Sequence, residues 1–130
     1  MFDNIMNILF GKNMNRNRCR NNRYMYKLIP FEQAKIMIEN NEVVLLDVRT
    51  QNEFELMHIK GAINMSVADI EKKIFIYEQN QPIMVYCSSG SRSKSAIDIL
   101  NNLGYANIYI WEYGALATFP YKNMLEYNEK

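Results

Sequence analysis

Ile83-Met84-Val85-Tyr86-Cys87-Ser88-Ser89-Gly90-Ser91-Arg92-Ser93-Lys94-Ser95-Ala96-Ile97-Asp98-Ile99-Leu100 is the stretch on which the rest of the chain turns. Pro82 leads into an apolar run rich in strand-favouring residues, which reads as a buried central strand stopping at a cysteine. Then the period changes. Ala96, Ile99, Leu100 and Leu103 recur at helical spacing and Gly104 supplies a C-terminal stop, so the second half is predicted to be a helix packed on the sheet. Only small polar residues and one arginine lie between. Cys87 therefore falls at the carboxyl end of a strand, where the loop turns its N–H groups inward and the positive end of a helix favours an anion. That setting favours the thiolate, which is the nucleophilic form of cysteine. Gly90 allows loop dihedrals closed to other residues, and Arg92 can pair with an anionic substrate or with the sulfur itself. The alternative is an inert buried thiol ending a strand, but such a thiol requires no Ser/Gly/Arg loop after it.

Working outward, the chain alternates strand and helix. Tyr26–Ile29 is predicted as a short strand, and Pro30 opens a helix over Phe31–Glu39 with Ala34, Met37 and Ile38 inward. Val43–Leu46 is a second buried strand ending at Asp47-Val48-Arg49. Thr50 with Glu53 forms a capping box for a short helix carrying Phe54 and Met57. His58–Ala62 reads as a turn, Ile63–Met65 as a brief strand, and Ser66 with Asp69 as another helix start with Ile70, Ile74 and Tyr77 inward. Asn107–Trp111 is the last strand, Gly114 marks a loop, and Tyr121–Tyr127 is predicted as a closing helix. This order gives an α/β fold whose mostly parallel central sheet of about five strands is flanked by helices. Ligands of such sheets lie outside the carboxyl ends of the strands, where Cys87 falls.

The chain has 130 residues, 48% of them hydrophobic, enough for one domain with a real core. The net charge of +1 conceals an asymmetry. Residues 1–23 hold Lys12, Arg16, Arg18, Arg20 and Arg23 against Asp3, which leaves ten basic against thirteen acidic residues in 24–130. We therefore divide the chain into an N-terminal basic and apolar arm, residues 1–25, and a folded domain, residues 26–130. Phe2, Ile5, Met6, Leu9 and Phe10 can gather on one helical face, and with the basic stretch they could touch anionic lipid, RNA or a partner protein. The plainer reading is a tail whose apolar residues cover the domain surface. No run of about 18 apolar residues spans a membrane, and the N-terminus lacks the order of a secretory leader. Two cysteines, Cys19 and Cys87, make no disulfide framework and suit a reducing cytoplasm. Metal-ligand clusters and nucleotide-binding glycine loops are absent from the pattern, so no cofactor and no metal are expected.

Residues 26 to about 125 resemble the single-domain rhodaneses, the sulfurtransferase family. Leu45–Arg49 followed by Glu53, Phe54, His58-Ile59 and Gly61–Asn64 resembles the family's first signature, Cys87–Arg92 its active loop, and Gly104-Tyr105, Ile108-Tyr109 and Gly114 its closing segment. The resemblance implies a three-layer rhodanese-like fold and a catalytic Cys87 that takes a sulfane sulfur as a persulfide. It also implies an active-site loop of Ser88, Ser89, Gly90, Ser91 and Arg92. The donor is then thiosulfate or a persulfide, small or carried by a protein, and the acceptor a thiol or cyanide. Asp47, Arg49, Glu53 and His58 read as a structural motif. The fold also resembles that of cysteine phosphatases, whose loops place five residues between cysteine and arginine; here there are four, which suits a single sulfur better than a phosphate. A rhodanese-like binding or sensor module is the non-enzymatic alternative. The chain departs from the family at Ser88, where a basic residue or glutamine is common, at Met57, and at Tyr113, which replaces the first of a usual glycine pair.

Overall fold

The computed structural model describes residues 25–128. The N-terminal arm through Tyr24, with Cys19 and its suggested lipid, nucleic-acid or partner contacts, lies outside the described residues. Five strands form the central sheet: β1 (Lys27–Leu28), β2 (Val44–Asp47), β4 (Ile63–Asn64), β5 (Ile83–Tyr86) and β6 (Ile108–Ile110). Their order is β1-β6-β5-β2-β4 and every pairing is parallel. β5 sits at the centre because all four of its residues are buried, and only a strand covered on both faces tolerates an uninterrupted apolar run.

Side chains alternate across that sheet. Leu46, Ile83, Val85 and Cys87 face a layer made by Ile70 and Ile74 with Ala96, Ile97 and Leu100. These come from the short helix α3 (Ile70–Lys73), with 3-10 turns at either end, and from α4 (Ser91–Asn102). Leu45, Met84 and Tyr86 face the other way, toward Ala34 and Met37 of α1 (Phe31–Glu39) and toward Trp111, Leu116, Phe119 and Met124. On this second face Tyr86, Trp111, Phe119 and Tyr121 pack in succession, the first pair stacked, the second tilted and the third edge-on, with ring centroids 5.6, 4.9 and 5.5 Å apart. Each such contact adds ~0.5–1.5 kcal/mol beyond area burial, and together they hold the irregular segment after β6 against the sheet.

The capping box at Thr50 forms as the sequence indicates and starts α2 (Gln51–Leu56). Two expectations are corrected. Met57 does not continue that helix: with His58 and Ile59 it forms β3 (Met57–Ile59), where a turn was expected from His58 on. Tyr121–Tyr127 is not a helix but a 3-10 turn over Lys122–Met124 followed by β7 (Leu125–Tyr127). The helical spacing of Tyr121, Met124 and Leu125 misleads because so short an isolated helix is unstable, whereas β7 closes an antiparallel ladder with all three residues of β3. Among the described residues no helix is long and apolar enough to cross a membrane.

Candidate active site

Cys87 lies one residue past β5 and is 1% exposed. The chain then crosses Ser88 and Ser89 to Gly90, which stands just before α4 with φ of 114°. This left-handed turn folds the loop back over the sulfur. The Gly90 N–H donates to Cys87 Sγ at 3.0 Å and the Ser93 N–H donates to it at 3.3 Å. Two amides aimed at one sulfur, at the start of a twelve-residue helix, favour negative charge there.

The segment after β6 closes the site from beside the loop. Trp111 Nε1–H donates to the Ala115 carbonyl at 2.8 Å, fixing a turn in which Tyr113 and Gly114 both have positive φ. From that turn, the Gly114 carbonyl accepts from the Cys87 N–H at 3.0 Å and from the Ser93 hydroxyl at 2.8 Å. Leu116 and Ala117 N–H groups donate in turn to the carbonyls of Cys87 and Ser88. Tyr113 holds φ of 64° without the freedom of glycine and is 65% exposed, and its carbonyl oxygen crowds Gly90: a Cβ on Gly90 would lie 2.6 Å from it.

Gly90→Ala is therefore expected to cost about 2–5 kcal/mol, combining a left-handed backbone penalty of ~1–2 with steric displacement of ~1–3. The midpoint of urea unfolding reads it, and a midpoint equal to wild type would mean that the loop does not depend on this conformation.

Arg92 is committed to a carboxylate. Its Nη1 and Nη2 donate to Glu53 Oε1 at 2.7 Å and Oε2 at 3.0 Å, a bidentate pair joining the first turn of α4 to the first turn of α2. Ser88 Oγ lies 3.4 Å from both the Glu53 carboxylate and Arg92 Nη2. The Arg92 hydrogen bond, followed by the Thr50 backbone, lowers the Glu53 carboxyl to about 2. Because the folded value is depressed, the stabilisation from Glu53 is fully present above its ordinary value of 4.5 and is lost as pH falls through about 2. Thermal melts of wild type and Glu53→Gln are accordingly expected to differ most at neutral pH and to converge between pH 4.5 and 2. A difference that persists unchanged at pH 2 would refute the charge origin.

Asp47 and Arg49 form a second, separate pair. Asp47 is 0% and Arg49 4% exposed; Arg49 Nε and Nη2 donate to the carboxylate at 2.9 and 2.7 Å, and Nη2 also donates to the Met57 carbonyl at 2.6 Å. This pair ties the end of β2 to the start of β3. Beside it, the Tyr86 phenol is pushed up, first by burial and then by the Asp47 charge, and its oxygen accepts from the Ile59 N–H. His58 stacks on Phe54 and sits between the Phe54 carbonyl, 2.7 Å from Nδ1, and the Glu126 carboxylate, 3.1 Å from Nε2. The structure thus brings Cys87, Ser88, Gly90, Ser93, Arg92 and Glu53 together and gives Asp47, Arg49 and His58 partners of their own. Among the described residues no cluster of three His, Cys, Asp or Glu is placed to hold a metal.

A parallel sheet with a cysteine loop at the carboxyl edge of its central strand defines a class of α/β domain. Residues 31–117 match the model of the rhodanese-like domain, and the chain belongs to that family. Thiosulfate sulfurtransferase GlpE of Coxiella burnetii is 31% identical over 85 residues, 65% of this chain and 79% of that protein. GlpE of Pseudoalteromonas translucida is 29% identical over 92 residues, 71% and 88% of the two chains. A rhodanese-related protein from Thermoplasma volcanium superposes with a TM-score of 0.61 at 29% identity, covering 72% of this chain and 90% of its own.

Proposed function

We propose that the chain is a sulfurtransferase that carries sulfane sulfur on Cys87. The observation that carries this reading is the sulfur itself, held by the N–H groups of Gly90 and Ser93 at the mouth of the central strand. Cys87 thiolate attacks the outer sulfur of a donor; that sulfur's bond to the rest of the donor breaks, and sulfite or a thiolate departs with the electron pair. Neither leaving group needs a strong general acid. The Ser88–Arg92 loop surrounds the resulting Cys87–S–S⁻ and stabilises its charge. A thiol or cyanide then attacks the outer sulfur and restores the Cys87 thiolate. Asp47, Arg49 and His58 act by holding the strand ends in place. A reducing cytoplasm suits this chemistry because it keeps Cys87 a free thiol between turnovers.

The test is the intact mass of the full chain after brief incubation with thiosulfate or with a persulfide, followed by cyanide. We expect one added sulfur, mapped to Cys87 and removed by cyanide. No gain from either donor on folded protein with a free thiol would favour a binding or sensor module, a reading to which the 1% exposure of Cys87 lends some weight. A phosphatase is disfavoured by the same loop: four residues separate Cys87 from Arg92, and Arg92 is engaged by Glu53 on both nitrogens.

A further inference from the structure

We propose that the donor for Cys87 is an organic persulfide, R–S–SH, and not thiosulfate, because the loop offers an incoming group a serine hydroxyl and a guanidinium already bound by a carboxylate. This rests on the sulfurtransferase reading above and specifies its substrate class.

The first ground is charge. Attack by the Cys87 thiolate on thiosulfate brings three negative charges together in one site, whereas the reacting group of a protonated persulfide, S–SH, brings none of its own. The two amides are already given to the Cys87 sulfur, so a site for the dianion needs further, uncommitted positive charge. The Arg92 guanidinium is matched by Glu53 through two hydrogen bonds of 2.7 and 3.0 Å, and Arg49 behind it is matched by Asp47. These four groups sum to zero. Lys94, on the first turn of α4, is exposed, where counterions and water damp its field. Ser88, immediately after the cysteine, adds no charge, and its hydroxyl lies 3.4 Å from both members of the Glu53–Arg92 pair.

The second ground is shape. Cys87 is 1% exposed beneath the loop, so the donor's leading atoms must be slim. A persulfide presents two divalent sulfurs in line, with R trailing outside. Thiosulfate places a tetrahedral sulfonate directly behind its outer sulfur. Outside the loop, the 65% exposed Tyr113, whose backbone abuts Gly90, offers an aromatic surface to a trailing organic group.

The step balances without an added oxidant or reductant. The Cys87 sulfur bonds to the outer sulfur of R–S–SH, the donor S–S bond breaks, and the pair leaves on R–S⁻. The proton of the outer sulfur passes to R–S⁻, giving Cys87–S–S⁻ and R–SH.

The experiment is time-resolved intact mass of the full chain, giving second-order loading rates with thiosulfate and with glutathione hydropersulfide from low to high ionic strength. Two variants accompany wild type. Ser88→Lys adds a cation beside the sulfur, and Glu53→Gln releases Arg92 while keeping a side chain that suits the third position of a capping box. Wild type is expected to load at least ten-fold faster from the hydropersulfide, with a thiosulfate rate that stays level or rises with salt. Either variant is expected to shift the ratio of rates at least ten-fold toward thiosulfate, and salt is expected to remove that gain. A wild-type thiosulfate rate that falls several-fold with salt would reveal a cationic docking site and overturn the inference, as would folded variants whose ratio does not move. In both cases the sulfurtransferase reading survives. Loading from neither donor would remove that reading and the inference with it.

Discussion

Replacing Cys87 by serine is expected to abolish persulfide formation and to lower sulfur transfer by roughly 10³-fold or more, the scale on which loss of a nucleophile is felt. Serine is nearly isosteric, and its oxygen can accept the same Gly90 and Ser93 N–H groups that now reach the sulfur. Cys87 also takes its backbone partners, Gly114 and Leu116, through atoms that the substitution leaves alone. The melting temperature should consequently stay within a few degrees of wild type. Transfer assay and thermal melt on the same preparation separate the outcomes. Retained transfer would place the active thiol elsewhere, whereas loss of both transfer and folding would make Cys87 a packing residue first.

The largest effect on stability is expected at Arg49. Its partner Asp47 is fully buried, and Arg49→Met would leave that carboxylate with the Arg49 backbone N–H but without the guanidinium that neutralises it. Breaking a buried pair on one side costs about 3–5 kcal/mol, since an uncompensated charge remains in a poor dielectric. For a domain of this size that lowers the melting temperature by at least about 12 °C. The exposed Lys35–Glu39 pair on α1 is the natural control: Lys35→Met should change stability by no more than about 0.5 kcal/mol. Equal effects at the two sites would mean that burial does not set the worth of the inner pair.

How far the sequence discloses this arrangement varies with the range of the forces involved. The central strand, α4 and the cysteine between them follow from local pattern, because a fully buried parallel strand and an amphipathic helix each write their period into neighbouring residues. The capping box at Thr50 is equally local. Its very clarity conceals the second role of Glu53: a carboxylate that closes the turn on Thr50 also reaches Arg92, thirty-nine residues on, and no spacing rule announces that pairing. The clamp from Gly114, Leu116 and Ala117 onto the cysteine loop is hidden for the same reason, since it is made by backbone groups whose side chains carry no signature. Gly114 is the one visible trace. β7 was misread because its apolar spacing fits a helix, and only its distant partner β3 decides otherwise.

The pairing of β1 with β6 has a bearing on how the protein comes into being. Lys27 lies beside Tyr109, eighty-two residues later, and β3 waits for β7 across nearly the whole second half of the chain. While the polypeptide is being made, β1 emerges long before β6, its partner in the sheet, and closing so long a loop carries an entropic cost before any contact repays it. By the same cost the shorter closures come first, β2 with β4, where Leu46 meets Ile63, and β5 with β6, where Ile83 meets Ile108; β2 with β5 follows, and β1 is among the last to dock. A ribosome-bound nascent chain stalled before residue 108 should hold the Cys87 loop without the clamp that completes it, so the loop gains its full set of backbone partners only once Gly114, Leu116 and Ala117 have been synthesised.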